Sequence, residues 1–174
     1  MKRYFVLTIM YLCFIPIMAQ HMNFLGKPLG CSINTFKQRM VERGYKSNGE
    51  VEPTAYSFDG VFGGDRVLVA AYVTPKSNIV YSVGVFYLDY TSKSYDESSQ
   101  NSQMDKFESL ISSFTKKYGG ISRKGNKFVI WELEYGDIII NIPGDDEDIS
   151  KNLIVWYNDG QSTKLRDEER ESDY

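Results

Sequence analysis

The chain has 174 residues, 42% hydrophobic and 14% aromatic, with 20 Lys+Arg against 23 Asp+Glu, a net charge of −3 and a mean hydropathy of −0.36. That length suits one domain with a full core, and the acidic balance gives no reason to bind nucleic acid, which needs clustered Lys and Arg to displace counterions. Two cysteines and one histidine exclude a disulfide framework and leave a His- or Cys-based zinc site short of ligands.

Lys2 and Arg3 precede an apolar run over residues 4–18, and Ala19 offers a small residue for cleavage before Gln20. This is the pattern of an export signal. A membrane anchor is the rival, but the run is short of the roughly 20 residues a spanning helix needs, and Pro16 interrupts it. A lipoprotein signal on Cys13 is the other alternative, with Tyr11 and Leu12 bulky where small residues are wanted. The expected organisation is a signal peptide over 1–19, one α+β domain over 20–160 and a charged C-terminal tail over 161–174. The expected destination is the periplasm or the extracellular space. Without the signal, 18 basic and 23 acidic residues remain, a net charge of −5. Cys31 is then the one cysteine, expected to be a small buried hydrophobe.

Pro28 biases the opening segment away from helix. Ser32 or Asn34 caps a short helix with Ile33, Phe36 and Met40 inside, and Gly44 stops it. A loop with Asn48-Gly49 as its turn comes next. Strands are expected over 55–58, 66–73 and 78–88, the last with Val80, Ser82, Gly84 and Phe86 on one face and Ile79, Tyr81, Val83, Val85 and Tyr87 on the other. Residues 89–102 read as a polar loop. Met104, Phe107, Leu110, Ile111, Phe114 and Tyr118 then make one stripe of a 3.6-residue helix ended by Gly119-Gly120. Val129, Trp131, Leu133 and Tyr135 alternate as a strand, Gly136-Asp137 turn the chain, and Ile138, Ile140 and Ile142 alternate back. An acidic loop (Asp145-Asp146-Glu147-Asp148) leads to a last strand over 153–157, which Asn158-Asp159-Gly160 end. The order is helix, three strands, helix, three strands. The expected fold is α+β: a tandem α-β-β-β arrangement with its helices packed on one face of an antiparallel sheet.

The run Phe24-Leu25-Gly26-Lys27-Pro28-Leu29-Gly30-Cys31-Ser32, then Phe36 and Arg43-Gly44-Tyr45, resembles the start of a family of exported, uncharacterised proteins from gut-type Gram-negative anaerobes. Lys117-Tyr118-Gly119 and Trp156-Tyr157-Asn158-Asp159 are similar to that family's later segments. Cys31 and Arg43 depart from its usual residues. The arrangement also resembles beta-lactamase-inhibitor-like and outer-membrane assembly lipoprotein folds, a likeness that carries no function across.

Catalytic groups are sparse. His21 falls two residues after the expected cut, a poor place to hold a general base, so a Ser-His-Asp or Cys-His site is not expected. Nine of the 23 acids cluster in the 145–148 loop and the tail, and Glu132 and Glu134 lie on the outward side of a strand, so paired carboxylates on a rigid cleft are not evident. The acidic loop could bind calcium but lacks the spacing of a dedicated calcium loop. Gly60, Gly63 and Gly64 read as turn glycines rather than a phosphate cradle. Aromatics are the one excess. The expectation is an exported, non-catalytic protein with no cofactor and no metal, binding an unknown protein, small-molecule or glycan partner through an exposed aromatic sheet face. Tyr81, Tyr87 and Trp131 are its expected anchors. A carboxylate-based secreted hydrolase and an envelope assembly or inhibitor-like protein are the alternatives.

Overall fold

In the computed structural model, which describes residues 20–91, 97–142 and 152–172, the chain opens with a two-strand clip, β1 (Asn23–Phe24) and β2 (Lys27–Pro28). Helix α1 (Ile33–Glu42) starts where the Ser32 hydroxyl accepts from the Thr35 amide, satisfying an amide that the first turn leaves unpaired. Four strands come after it: β3 (Lys46–Glu52), β4 (Ala55–Phe62), β5 (Asp65–Val73) and β6 (Val80–Thr91). Helix α2 (Glu97–Tyr118) leads to β7 (Arg123–Lys124), β8 (Phe128–Leu133), β9 (Gly136–Asn141) and β10 (Asn152–Asp159). Helix α3 (Gly160–Glu171) closes the described chain.

The last eight strands form one sheet in the order β3-β4-β5-β6-β10-β9-β8-β7. Every pairing in it is antiparallel. The fold is therefore α+β with a large antiparallel sheet, as its strand alternation implied. The four strands after α1 fill one half of the sheet and the four after α2 fill the other, and the halves meet at β6 and β10.

Several segments differ from the sequence expectation. Residues 46–52 are an edge strand, not a loop. Six of these seven residues are exposed, so no hydrophobic alternation marked them, and Gly49 sits inside the strand at a register shift with φ +87°. The chain turns instead at Pro53-Thr54. Helix α2 begins at Glu97 rather than Met104, because residues 97–102 are polar and add nothing to the apolar stripe. Met104 itself is 41% exposed. The β8–β9 turn falls at Glu134-Tyr135, just before the expected Gly136-Asp137. Each of α1 and α2 is followed by four strands, not three. Most of the expected tail is α3, which reaches back so that the Glu169 carboxylate accepts the backbone amides of Lys76 and Ser77 in the β5–β6 turn. The expected signal peptide, Cys13 and the acidic loop at 145–148 lie outside the described residues.

The core lies on one sheet face. Val67, Val69, Val83, Val85, Val129, Ile138, Ile140 and Val155 are all inaccessible to solvent. They form one cluster with Phe36 and Met40 of α1 and Phe107, Leu110 and Phe114 of α2. Phe36 meets Phe58 edge-on, and Phe114 packs on Trp131 and Tyr157. At the rim, Lys106 of α2 lies 2.5 Å from Asp65 Oδ2, and the Tyr90 hydroxyl donates to the other oxygen at 3.2 Å. That pair fixes α2 against the start of β5.

Burial pushes the hydroxyls of Tyr87 and Tyr157 above their ordinary pKa of 10.0. A tyrosine whose folded pKa is raised keeps its proton longer in the folded chain. Its contribution is complete below the ordinary value and is lost as pH rises beyond it. Urea midpoints should therefore hold steady up to about pH 10 and fall above it, and Tyr157→Phe should make that fall shallower. Identical slopes for wild type and variant would contradict this.

Candidate recognition site on the second sheet face

The pairing register fixes what the opposite face of the sheet carries. Across the strands from β4 to β8, three rows can be read: Ala55–Tyr72–Ser82–Asn158–Asp137–Glu132, then Ser57–Ala70–Gly84–Trp156–Ile139–Ile130, then Asp59–Leu68–Phe86–Ile154–Asn141–Phe128. The middle and third rows are mainly apolar and the first is mainly polar. Tyr72, Phe86 and Trp156 are half-buried; none of the three rings is closed off.

Trp156 is the centre of this face. It stands across from Gly84, and a Cβ built on Gly84 would lie 2.8 Å from the indole and 2.9 Å from the Phe86 ring. The missing side chain is therefore the space that lets the indole lie down over β6. Tyr72 and Phe86 flank it, with ring centroids at 5.8 and 5.7 Å, within the range of favourable aromatic contacts. Burial, with Glu52 and Tyr81 adding to it, raises the Tyr72 hydroxyl above its ordinary pKa, so Tyr72 presents a neutral donor.

The polar row next to the indole is a hydrogen-bonded chain. The Asn158 amide donates to Asp137 at 2.7 Å. The Ser82 hydroxyl donates to the Asn158 carbonyl at 2.6 Å. The direction is fixed chemically: a carboxylate only accepts, so the amide nitrogen must face it and the amide oxygen must face Ser82. Beyond this row lies a pocket of about 270 Å³ lined by Tyr81, Gly136, Asp137, Asn158, Gly160, Thr163 and Arg166. Arg166, on α3, stacks 4.7 Å over the Tyr81 ring and pairs with Asp167. Gly136 is required here. At φ +150° it takes a backbone that side chains avoid, and a Cβ would lie 1.9 Å from the Asn158 carbonyl oxygen.

Of the expected anchors, only Tyr81 is placed at this site. Tyr87 is 1% and Trp131 0% exposed, and both belong to the core cluster. They cannot serve as recognition anchors. Strand alternation separates the two faces of β6 and β8 but does not say which one carries the core, and the core face carries Tyr87 and Trp131. A register shift between Tyr72 and Val73 on β5, opposite Tyr81, breaks the alternation, so Val80 joins the core rather than the Ser82 face. Trp156, Tyr72 and Phe86 were missed because their meeting depends on the β5–β6–β10 register. The one signal available was a glycine inside a long apolar strand, which marks a close approach.

The remaining polar cluster is structural. Asp159 is fully buried and caps α3. One of its oxygens accepts from the Met22 amide at 2.7 Å, and the other meets the Ser162 amide at 2.9 Å, the Ser162 hydroxyl at 2.6 Å and His21 Nδ1 at 2.9 Å. His21, Asp159 and Ser162 have the composition of a hydrolytic triad but not its wiring. The serine donates to the aspartate instead of to the histidine, and Ser162 is only 3% exposed. Cys31 is half-buried, its sulfur 3.4 Å from Arg39 Nη1, and burial raises its thiol pKa. Glu132 pairs with Arg123 on the surface. Among the described residues no group of three or more His, Cys, Asp or Glu could hold a metal ion, and no helix is long and apolar enough to cross a membrane. Comparison with models of protein families, with curated proteins and with solved structures returns no match.

Gly84→Ala, which demands no forbidden backbone, should lift the indole from the sheet. The expected cost is about 1–3 kcal/mol, with a change in Trp156 emission; an unchanged spectrum would mean the ring is not seated there. Asp159→Ala removes a helix cap and strands buried donors. It should cost about 3 kcal/mol in urea unfolding, and a loss under about 1 kcal/mol would show the cluster to be incidental.

Proposed function

We propose that the chain is exported with loss of residues 1–19, and that it acts as a binding or interaction protein, not as an enzyme. Its recognition surface is the second sheet face, with Trp156, Tyr72 and Phe86 in place of Tyr87 and Trp131. The observation that carries this reading is the partly exposed indole set against Gly84 beside the Ser82–Asn158–Asp137 chain. Aromatic rings flanked by a few converging polar groups are the usual make-up of a ligand site. A monomer that needed only a core would place rings of this size on its covered face. The leader-like first residues and the likeness to exported proteins of gut-type Gram-negative anaerobes support export. The net charge of the exported part argues against a nucleic-acid partner.

The two helix-plus-four-strand units are read as a tandem arrangement joined at β6 and β10, with α1 and α2 together on the core face. In such an arrangement the helices support the sheet, and its other face is left for recognition. The hydrolase alternative asks for two carboxylates facing one cleft. The pocket beside Trp156 has Asp137 as its one carboxylate.

The test compares the Tyr72→Ala/Phe86→Ala/Trp156→Ala protein with Trp131→Ala. The triple variant should stay folded by circular dichroism and lose retention on immobilised cell-envelope fractions. Trp131→Ala should instead lose about 3–5 kcal/mol of stability. A triple variant that unfolds, or is retained as well as wild type, would count against the reading.

A further inference from the structure

We infer that the ligand of this face is a neutral saccharide, one sugar ring laid on Trp156 with its hydroxyl edge against the Asn158–Asp137 row. This rests on the reading of the second sheet face as a recognition surface. A sugar ring has an apolar face of C–H groups and a rim of hydroxyls that both donate and accept. The site has the complementary division. The indole supplies a flat apolar surface, since Gly84 lets it lie down. The row beside it supplies mixed hydrogen-bonding character. One Asp137 oxygen is engaged by Asn158, and its carboxylate has further accepting capacity. The Ser82 hydroxyl, itself buried, donates to the Asn158 side chain and holds that amide in place. Thr163 and the Tyr81 hydroxyl add groups that donate or accept, and Arg166 adds donors.

Charge decides against anionic ligands. The pocket is lined by one acid, Asp137, and one base, Arg166, and Arg166 is already paired with Asp167, so its charge is not left over for a bound anion. A nucleotide would also stack on an indole, but its phosphates would meet Asp137, Glu132 and Asp167, with no lysine lining the pocket. A protein partner or a second copy would have to desolvate Asp137 and Arg166 together with the apolar rows, which is costly unless each finds a partner. Size agrees as well. The pocket beyond the Asn158–Asp137 row, about 270 Å³, falls just under the range of sites for drug-sized ligands and leaves room for a second unit next to the ring on Trp156.

The experiment titrates the protein with cellohexaose, maltohexaose, chitohexaose and mannohexaose, with sialyllactose and hexagalacturonate as charged controls. Binding is read by calorimetry and by tryptophan emission. At least one neutral oligosaccharide should bind saturably and shift the emission. Trp156→Ala and Asp137→Ala should each weaken it by about tenfold or more, while Arg123→Ala on β7 leaves it unchanged; circular dichroism and urea midpoints confirm that each variant folds. Silence across the neutral panel, preference for the charged sugars, or affinity untouched by Trp156→Ala would overturn the saccharide assignment. Light scattering on the same samples separates the two readings. A dimer that Trp156→Ala dissolves, or retention on envelope protein that it abolishes, would keep the recognition face and discard the sugar. Failure of all these measurements would discard both.

Discussion

The pairing of β6 with β10 is the constraint on which the rest of the structure depends. These strands are far apart in sequence, yet they lie at the centre of the sheet, and each carries the outer strands of its own half. Their antiparallel register sets Val83 against Tyr157 and Val85 against Val155 on one face, and Gly84 against Trp156 and Ser82 against Asn158 on the other. A slip of one residue would exchange the faces. It would push Trp156 and Asn158 into the core and bring Val155 and Tyr157 out. Core and site are therefore two consequences of one alignment, held in place by the volume of the core side chains.

The two faces use the same residue types differently. On the core face the aromatics interlock with α1 and α2: Phe36 with Phe58, Phe114 with Trp131 and Tyr157. There the indole nitrogen of Trp131 still finds the Gly119 carbonyl at 3.3 Å, as a buried donor must. On the second face Trp156 rests against Gly84, with Phe86 nearly edge-on to it at 75° and Tyr72 tilted at 43°, next to a row of hydrogen-bonded polar groups. A tryptophan in the core stabilises by volume; a partly exposed tryptophan beside Ser82, Asn158 and Asp137 offers a surface of defined shape and polarity.

Asp159 shows why residue composition is a poor guide to chemistry. Histidine, serine and aspartate come together, but the buried carboxylate is the shared acceptor, and its task is to tie the residues just after Gln20 to the start of α3. The N-terminal segment, the end of β10 and the last helix meet at this one group. Burying a carboxylate there is tolerable because Met22, His21 and Ser162 all bond to it.

The sequence by itself determined the features that local periodicity sets. The apolar stripes of α1 and α2, the alternation in β5, β6, β8 and β9, and the antiparallel character imposed by short turns were all legible, because spacing alone places such residues on one side of an element. Edge strand β3 was not legible, since an exposed edge needs no hydrophobic pattern, and α3 was hidden because its buried contacts come from Asp159 and Ser162 rather than from an apolar stripe. Only the tertiary structure decided which face of the sheet carries the core. That choice put Tyr87 and Trp131 in the core and left Tyr72, Phe86 and Trp156 partly exposed, because it depends on how strands remote in sequence align, and alternation is blind to that.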